Sequence, residues 1–276
     1  MFEDLKPHLI ELKKRLLISI SVFFVLFIVV FPFWKPIEMF MAKPLFEAMN
    51  VEYKLSYDMT FQNLYQSVTN FDMPEELKNN PIMMTNDIFE AVFMSFKISF
   101  FTAFIFALPV IFWQFWLFVA PGLYDHEKKY VIPFVLFATV MFLLGAAFCY
   151  YAVLPLSFGF AIGFSKGLFV YVPKITEYVG TFIKLMIGFG LSFEFPVISL
   201  FLAKLGFITD KTLKSFFRYA IVLIFVFAAI ITPPDVISQV FMAIPLLLLY
   251  GLSILIVRMI NPYKEEDDLS EEDVKA

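Results

Sequence analysis

The apolar positions of this chain are gathered into six long runs, each bounded by polar or charged segments. A membrane-spanning helix needs about 20 predominantly apolar residues, and most of these runs approach or exceed that length. They cover residues 16–33, 89–118, 130–154, 178–203, 219–231 and 236–257. The pattern predicts an all-α membrane protein with six transmembrane helices, contained in an integral membrane domain of residues 1–258.

The fifth run is shorter than the others. Its residues, 219–231, precede a turn with the sequence TPPD. At 1.5 Å per residue this run reaches only about 20 Å, whereas the hydrocarbon layer is about 30 Å thick. We therefore expect either a thinned bilayer or a helix that ends beneath the membrane surface at this point.

The segments between the runs differ in length. The first loop on the side opposite the termini, residues 35–88, is long enough to hold short helices of its own. Residues 37–46 have an amphipathic pattern, and the loop is interrupted by prolines, among them Pro44. The segments on the side of the termini are short, which predicts antiparallel neighbouring helices there.

Composition excludes a soluble domain. The 276 residues are 61% hydrophobic and 17% charged, whereas soluble proteins average about 45–50% apolar and about 25% charged residues. A soluble fold of this size could not bury so much apolar surface. The first run is also longer than the core of a cleavable signal peptide, so we expect it to be a retained span.

The distribution of charge predicts the orientation. Six spans put both termini on one side, where we count 13 Lys and Arg residues, against six on the opposite side. Because cytoplasmic segments carry an excess of Lys and Arg, both termini are predicted to be cytoplasmic. Residues 259–276 hold seven acidic and no basic residues between Glu265 and Asp273, which predicts a disordered cytoplasmic tail.

The sequence offers little catalytic chemistry. It has one cysteine, Cys149, so neither an intramolecular disulfide nor a cysteine-built metal site is possible. The two histidines lie at membrane flanks, and no hydrolase, metalloprotease or phosphate-loop motif occurs. No basic patch stands outside those flanks, so nucleic acid is not an expected partner. We expect no enzymatic activity, no cofactor and no metal.

Glu194 and Gln114 are polar residues that lie inside the predicted spans. Glu194 stands about two thirds of the way along the fourth run, where a charged side chain costs about 2.5–3.5 kcal/mol. Such a residue indicates a functional site, or alternatively an internal hydrogen-bond partner for Lys184, a hydroxyl group or backbone freed by Pro196. Gln114 in the second run is expected to form an interhelical hydrogen bond.

Two carboxylates lie at the predicted cytoplasmic surface, Glu11 before the first span and Glu127 in the turn after the second. Each alone is most simply a solvated charge paired with a nearby Lys or Arg, worth about 0–1 kcal/mol. Together they stand at the same predicted depth, on the same side, at the ends of spans that could be neighbours.

Four segments of the chain resemble the TatC family. They are HLIELKKRL at 8–16, FVAPGLYDHEK at 118–128, SFEFP at 192–196, and TPPDVISQ at 232–239 followed by AIP at 243–245. TatC is the multi-spanning core of the twin-arginine translocase, which exports folded proteins using the protonmotive force. The resemblance implies a concave, glove-like bundle of six helices in the bacterial inner membrane, acting with single-span TatB-type and TatA-type partners in an oligomeric complex.

The resemblance also implies roles for individual residues. Glu11 and Glu127 match the glutamates that the family uses against the arginine pair of signal peptides. Phe118, Lys13 and His8 fall within the same motifs, and Lys13 is a candidate for orienting Glu11. Matched polar positions that imply docking of partner helices and translocation are Glu194, Thr232 and Gln239. Pro44 matches a proline in the family's external cap.

Two other classes of protein compete with this interpretation. A proton- or cation-coupled transporter of small molecules could use Glu194, but such proteins often show internal repeats, and no convincing repeat occurs here. An intramembrane enzyme would need paired catalytic groups at one depth, and only Glu194 lies deep in a predicted span.

Overall fold

The computed structural model describes residues 2–48, 88–119, 131–165, 174–232 and 236–261, and these residues are almost wholly helical. The α-helices are α1 (Phe2–Val30), α2 (Trp34–Ala48), α3 (Glu90–Val119), α4 (Val131–Phe148), α5 (Leu154–Ser165), α6 (Ile175–Lys204), α7 (Asp210–Ile231) and α8 (Val236–Ile260). A 3₁₀ turn, Phe31–Phe33, links α1 to α2, and a π-helical turn, Cys149–Val153, links α4 to α5.

Six helical stretches among the described residues are long and apolar enough to cross a membrane. They are His8–Ala48, Glu90–Val119, Val131–Gly163, Ile175–Lys204, Asp210–Ile231 and Gln239–Ile260. The helical form follows from the solvent, because hydrocarbon offers no hydrogen-bond partner and a helix pairs its own backbone groups. The predicted all-α class with six spanning helices is confirmed, and the chain is a multi-pass membrane protein.

The fifth of these helices extends well beyond the apolar run that predicted it. α7 begins at Asp210, nine residues before the run 219–231. The Thr209 side chain accepts a hydrogen bond from the Thr212 backbone N–H, and Thr212 Oγ1 accepts one from the Thr209 N–H, so a reciprocal cap starts the helix in polar sequence. Lys214 Nζ then lies 2.6 Å from Asp210 Oδ2. The charged first turns are therefore helical, and only the C-terminal part of α7 is uncharged.

The chain divides into two compact units, of which the first comprises residues 1–139 and 149–184. In this unit α1 and α3 pack antiparallel through phenylalanine rings. Phe23 lies 4.5 Å from Phe100, and Phe31 lies 4.8 Å from Phe96, between ring centroids. As the residue number rises along α1, that of the contacting residue on α3 falls. These two contacts define the register of the helix pair.

Helix α2 is also part of the first unit, and it holds Pro44 in its interior. Proline has no N–H, so the carbonyl group of Phe40, four residues earlier, has no helical donor. The hydroxyl group of Tyr150 donates to that oxygen at 2.8 Å, and the Tyr150 ring stacks on the Phe40 ring. Tyr178 donates to the next carbonyl, that of Met41. Two tyrosines thus satisfy the backbone that Pro44 disturbs.

The second unit comprises residues 140–148 and 185–276. Tyr250 of α8 joins three of its helices. Its hydroxyl group donates to the Leu213 carbonyl of α7 at 2.8 Å, and its ring stacks on Phe195 of α6 with centroids 5.2 Å apart. The apolar core around it contains Ala203, Leu213, Ala220 and Val257.

Glycines let α4 and α6 approach closely in the second unit. A Cβ atom at Gly145 would lie 2.7 Å from the Phe189 carbonyl oxygen, and one at Gly190 would lie 2.5 Å from the Phe142 ring. Both distances are below normal van der Waals contact, so these glycines are required by packing. A Cβ atom at Gly251 of α8, by contrast, would have no neighbouring atom within 4 Å.

The contact between Tyr150 and Phe40 predicts a coupled stability effect. Tyr150→Phe leaves the Phe40 carbonyl group without a donor, so we expect the free energy of unfolding to fall by about 1–2 kcal/mol. In a Pro44→Ala background the residue at position 44 supplies the N–H, and we expect the cost of Tyr150→Phe to be well under half as large. Thermal unfolding of the four proteins in detergent measures both costs. Equal costs in the two backgrounds would show that Tyr150 does not compensate for Pro44.

The glycine contacts predict opposite effects of one substitution at different positions. Gly145→Ala should lower the midpoint of thermal unfolding, since overpacking costs about 1–3 kcal/mol. Gly251→Ala should leave it unchanged or raise it, because alanine favours a helix by about 1 kcal/mol where space is free. Unfolding midpoints in one detergent compare the two variants, and a stable Gly145→Ala protein would contradict the close approach of α4 and α6.

Candidate functional site

The structure links Glu11 to the neighbouring helix through an arginine. Arg15, one turn along α1, donates from Nη2 to Glu11 Oε1 at 3.2 Å and from Nη1 to Gln114 Oε1 of α3 at 3.3 Å. The Arg15 and Glu11 side chains are 24% and 31% exposed, whereas Gln114 is buried. The predicted interhelical hydrogen bond of Gln114 is confirmed.

Phe118 lies at the same level of the helix pair as Glu11. Gln114 and Phe118 are four residues apart on α3, so they share a face and Phe118 is one turn further along. Glu11 is likewise one turn from Arg15, in the opposite chain direction, and α1 and α3 are antiparallel. One turn beyond the Arg15–Gln114 bond, in the same direction, α1 therefore carries Glu11 and α3 carries the half-buried Phe118. The Glu11 carboxylate and the Phe118 ring thus lie at the same end of the α1–α3 pair.

Lys13 does not share this face. Two residues along a helix with 3.6 residues per turn, it points away from Glu11, and it lines an open depression of about 510 Å³ on the surface of α1 together with Lys14 and Leu17. Among the described residues, Arg15 is the cation that pairs with Glu11. Arg15 is therefore placed to orient Glu11, the role for which Lys13 was the candidate. His8 is exposed one turn before Glu11.

The second predicted glutamate, Glu127, lies outside the described residues, as does the tail 262–276. Sequence reasoning passed over Arg15, although its spacing of four residues from Glu11 is the spacing at which side chains meet on a helix. That signal was present, but three consecutive cations at 13–15 made the choice among them ambiguous.

Glu194 forms the other predicted site, in the second unit. It is 6% exposed on α6, and its Oε1 atom has no hydrogen-bond partner within the described part of the chain. The sequence suggested Lys184, a hydroxyl group or backbone freed by Pro196 as internal partners, but within the described residues none of them bonds to this oxygen. A buried polar atom without a partner costs about 1–3 kcal/mol, which singles out Glu194 within its helix.

Thr232 and Gln239 lie at the adjoining ends of α7 and α8. Thr232 caps α7, and its hydroxyl group and its backbone N–H both donate to the Ala228 carbonyl at 2.9 Å. Gln239 donates from Nε2 to the Phe225 carbonyl of α7, also at 2.9 Å. The structure thus brings Thr232 and Gln239 to one end of the α7–α8 pair, where both hold backbone of α7.

The depth of Glu194 follows from a contact at that same end. Gly188 of α6 approaches Ile231, the residue before Thr232, so closely that a Cβ atom at Gly188 would lie 2.5 Å from the isoleucine side chain. Glu194 is six residues further along α6, about 9 Å along the helix axis. It is therefore displaced from the Thr232 level toward the C-terminal end of α6.

An apolar groove of about 530 Å³ runs between α6, α7 and α8. Its lining includes Ser192, Phe195, Leu223, Phe227 and Tyr250. The two hydroxyl groups in this lining donate to backbone carbonyls, that of Ser192 to Gly188 at 2.7 Å and that of Tyr250 to Leu213. The groove wall is therefore almost entirely apolar. In the part of the chain that the structure describes, no cluster of three His, Cys, Asp or Glu side chains could hold a metal ion.

Comparison with known proteins agrees with these features. The family model "Sec-independent protein translocase protein (TatC)" matches residues 7–245. A protein of that description from Campylobacter jejuni is 48% identical over 272 residues, which is 98% of this chain and all of the relative. One from Helicobacter pylori is 47% identical over 276 residues, which is all of this chain and 97% of the relative.

A solved structure matches as well. The crystal structure described as "Twin Arginine Translocase Receptor- TatC" superposes with a TM-score of 0.73 and is 38% identical, covering 92% of this chain and 99% of that one. A family model matches most of the chain, full-length relatives are nearly half identical to it, and the fold is shared with a solved structure. The chain therefore belongs to the TatC family of Sec-independent protein translocase proteins.

Proposed function

We propose that this protein is the signal-peptide receptor and multi-spanning core of a twin-arginine translocase. The observation that carries the proposal is the partly exposed carboxylate of Glu11, held level with Phe118 at the end of the α1–α3 pair. A carboxylate at such a place can accept the guanidinium group of an arginine from a peptide, and Phe118 offers that peptide an apolar surface.

Glu11 is suited to distinguish arginine from lysine. A guanidinium group binds a carboxylate through two parallel N–H···O bonds, a geometry that an ammonium group cannot reproduce. Charge-assisted hydrogen bonds are worth about 1.5–3 kcal/mol when shielded, but the exposure of Glu11 reduces that value. The pair Glu11 and Glu127 therefore supplies selectivity for two arginines, and the apolar part of the signal supplies affinity at about 0.8 kcal/mol per buried CH₂. His8 borders this site one turn before Glu11, whereas Lys13 points away from it, and neither pairs with Glu11 among the described residues.

The second unit is proposed as the place where single-span partners dock. Glu194 has an oxygen without a partner among the described residues, and a polar residue on a partner helix gains by pairing with such a group in lipid. Thr232 and Gln239 lie at one end of the α7–α8 pair, and Glu194 lies about 9 Å along the axis of α6 from that level. TatB-type and TatA-type proteins are the proposed partners, in an oligomeric complex, and Pro44 with α2 forms the external cap.

The cellular setting completes the proposal. The excess of Lys and Arg on the side of the termini supports a cytoplasmic position for both of them, with the protein in the inner membrane and export driven by the protonmotive force. The role is transport rather than catalysis. A coupled transporter of small molecules is not favoured, since full-length relatives and the matching fold belong to a protein translocase family.

Removing the charge of Glu11 should abolish discrimination between arginine and lysine. We expect Glu11→Gln to weaken binding of a twin-arginine signal peptide by about tenfold, and to leave binding of the same peptide with two lysines nearly unchanged. Fluorescence titration of the full chain in detergent micelles measures both affinities. Glu47→Gln is the matched control, because Glu47 is also a glutamate with a cation four residues away on its helix, 3.7 Å from Lys43. Unaltered selectivity in Glu11→Gln would refute the assignment of Glu11.

Glu194 should matter for transport and not for recognition. We expect Glu194→Ala to reduce export of a folded twin-arginine substrate at least tenfold while its affinity for the signal peptide stays within twofold of that of the unmodified protein. Ser253→Ala serves as a control for a buried polar residue of the same unit, since the Ser253 hydroxyl group donates to the Leu249 carbonyl of its own helix. Loss of peptide binding in Glu194→Ala would show that the two sites are not separate.

A further inference from the structure

We propose that Arg15 is an internal competitor for the signal peptide, a guanidinium group that occupies Glu11 until an incoming arginine displaces it. This inference rests on the proposed function of Glu11 and adds a step that lowers the affinity of every incoming peptide. The contact on which it stands is the 3.2 Å bond from Arg15 Nη2 to Glu11 Oε1.

The bond between Arg15 and Glu11 is a weak form of the arginine–carboxylate pair. It joins one nitrogen to one oxygen at a long distance, whereas the strong form has two parallel bonds at about 2.7–2.9 Å. The other terminal nitrogen of Arg15 is directed to Gln114 instead, and Nε has no partner among the described residues. Helix geometry keeps Arg15 four residues from Glu11, so the internal pair cannot rearrange freely. An incoming arginine that approaches without this restriction can form both bonds.

Gln114 makes the displacement of Arg15 possible. Its buried amide oxygen accepts a hydrogen bond from Arg15 at 3.3 Å and lies on α3, not on α1. When a peptide arginine takes Glu11, Arg15 keeps this second partner and need not become an unpaired cation. Gln114 is thus a positioning residue, because it acts on the peptide only through Arg15.

The competition affects arginine and lysine peptides alike. Each peptide must displace Arg15 from Glu11 before its own cation can bind, so both apparent affinities are lowered by the same factor. The preference for arginine comes from the two short bonds that its guanidinium group forms, whereas a lysine ammonium group makes a single contact. Removing the competitor should therefore raise both affinities by the same factor and leave their ratio unchanged.

The test measures affinities of a twin-arginine peptide and its twin-lysine counterpart for the full chain in detergent. The variants are Arg15→Gln, which removes the competitor, and Gln114→Glu, which attracts Arg15 away from Glu11 by charge. Lys14→Gln is the control for the loss of one nearby positive charge, because Arg15 and not Lys14 pairs with Glu11 within the described residues. Glu11→Gln is measured alongside them.

We expect Arg15→Gln and Gln114→Glu each to raise the affinities for both peptides by roughly fivefold, the most that a partly exposed ion pair is worth, and to leave the arginine-to-lysine ratio unchanged. Lys14→Gln should raise both affinities far less. If Arg15→Gln weakens peptide binding or leaves both affinities unchanged, Arg15 only supports the structure around Glu11 and the proposal is wrong. Gln114→Glu retains Arg15, so its affinities decide the question should Arg15→Gln fail to fold.

The same titrations separate this proposal from the proposed function. A wild-type protein that does not prefer arginine, or a Glu11→Gln protein that still does, overturns the role of Glu11 as receptor and the competition with it. A preference that Glu11→Gln abolishes, together with affinities that Arg15→Gln and Gln114→Glu leave unchanged, overturns the competition alone.

Discussion

Hydrocarbon supplies no hydrogen bonds, and this constraint decides most of the structure. Each backbone group within the membrane must find its partner inside the protein, so the apolar runs become helices. Buried backbone outside the predicted spans needs partners as well, because water is excluded there too. Pro44 removes a donor from α2, and a tyrosine hydroxyl group replaces it at the Phe40 carbonyl. A proline that would weaken a helix in isolation is thereby tied to two aromatic side chains from other helices.

The same constraint explains why the polar side chains in this protein are informative. Gln114 is buried on α3 and reaches Arg15 across the helix pair, and Gln239 reaches backbone of α7 from α8. These groups have partners within the chain. Glu194 differs, because one of its oxygens has none among the described residues. Several polar groups thus hold helices together, whereas Glu194 Oε1, like Ser99 Oγ and Arg15 Nε, is buried without a partner in the described part of the chain.

The sequence was sufficient for features that depend on local pattern. Runs of apolar residues predicted the six helices, and the amphipathic pattern of residues 37–46 predicted a helix where α2 lies. It was insufficient for features that depend on how helices meet. α7 starts at Asp210 because of a cap that hydropathy does not detect. Arg15 rather than Lys13 meets Glu11, since helical phase and the position of Gln114 together choose among three adjacent cations. Glu127 lies outside the described residues and its role stays a prediction.

The central claim is that a twin-arginine peptide binds with its arginines at the end of the α1–α3 pair. The most direct measurement is photo-crosslinking from a probe placed beside the arginine pair of a bound signal peptide, with the attachment sites on the full chain mapped by mass spectrometry. We expect crosslinks on α1 near Glu11 and on α3 near Phe118, which an excess of unlabelled twin-arginine peptide removes. Competed crosslinks confined to the groove between α6, α7 and α8 would contradict the claim.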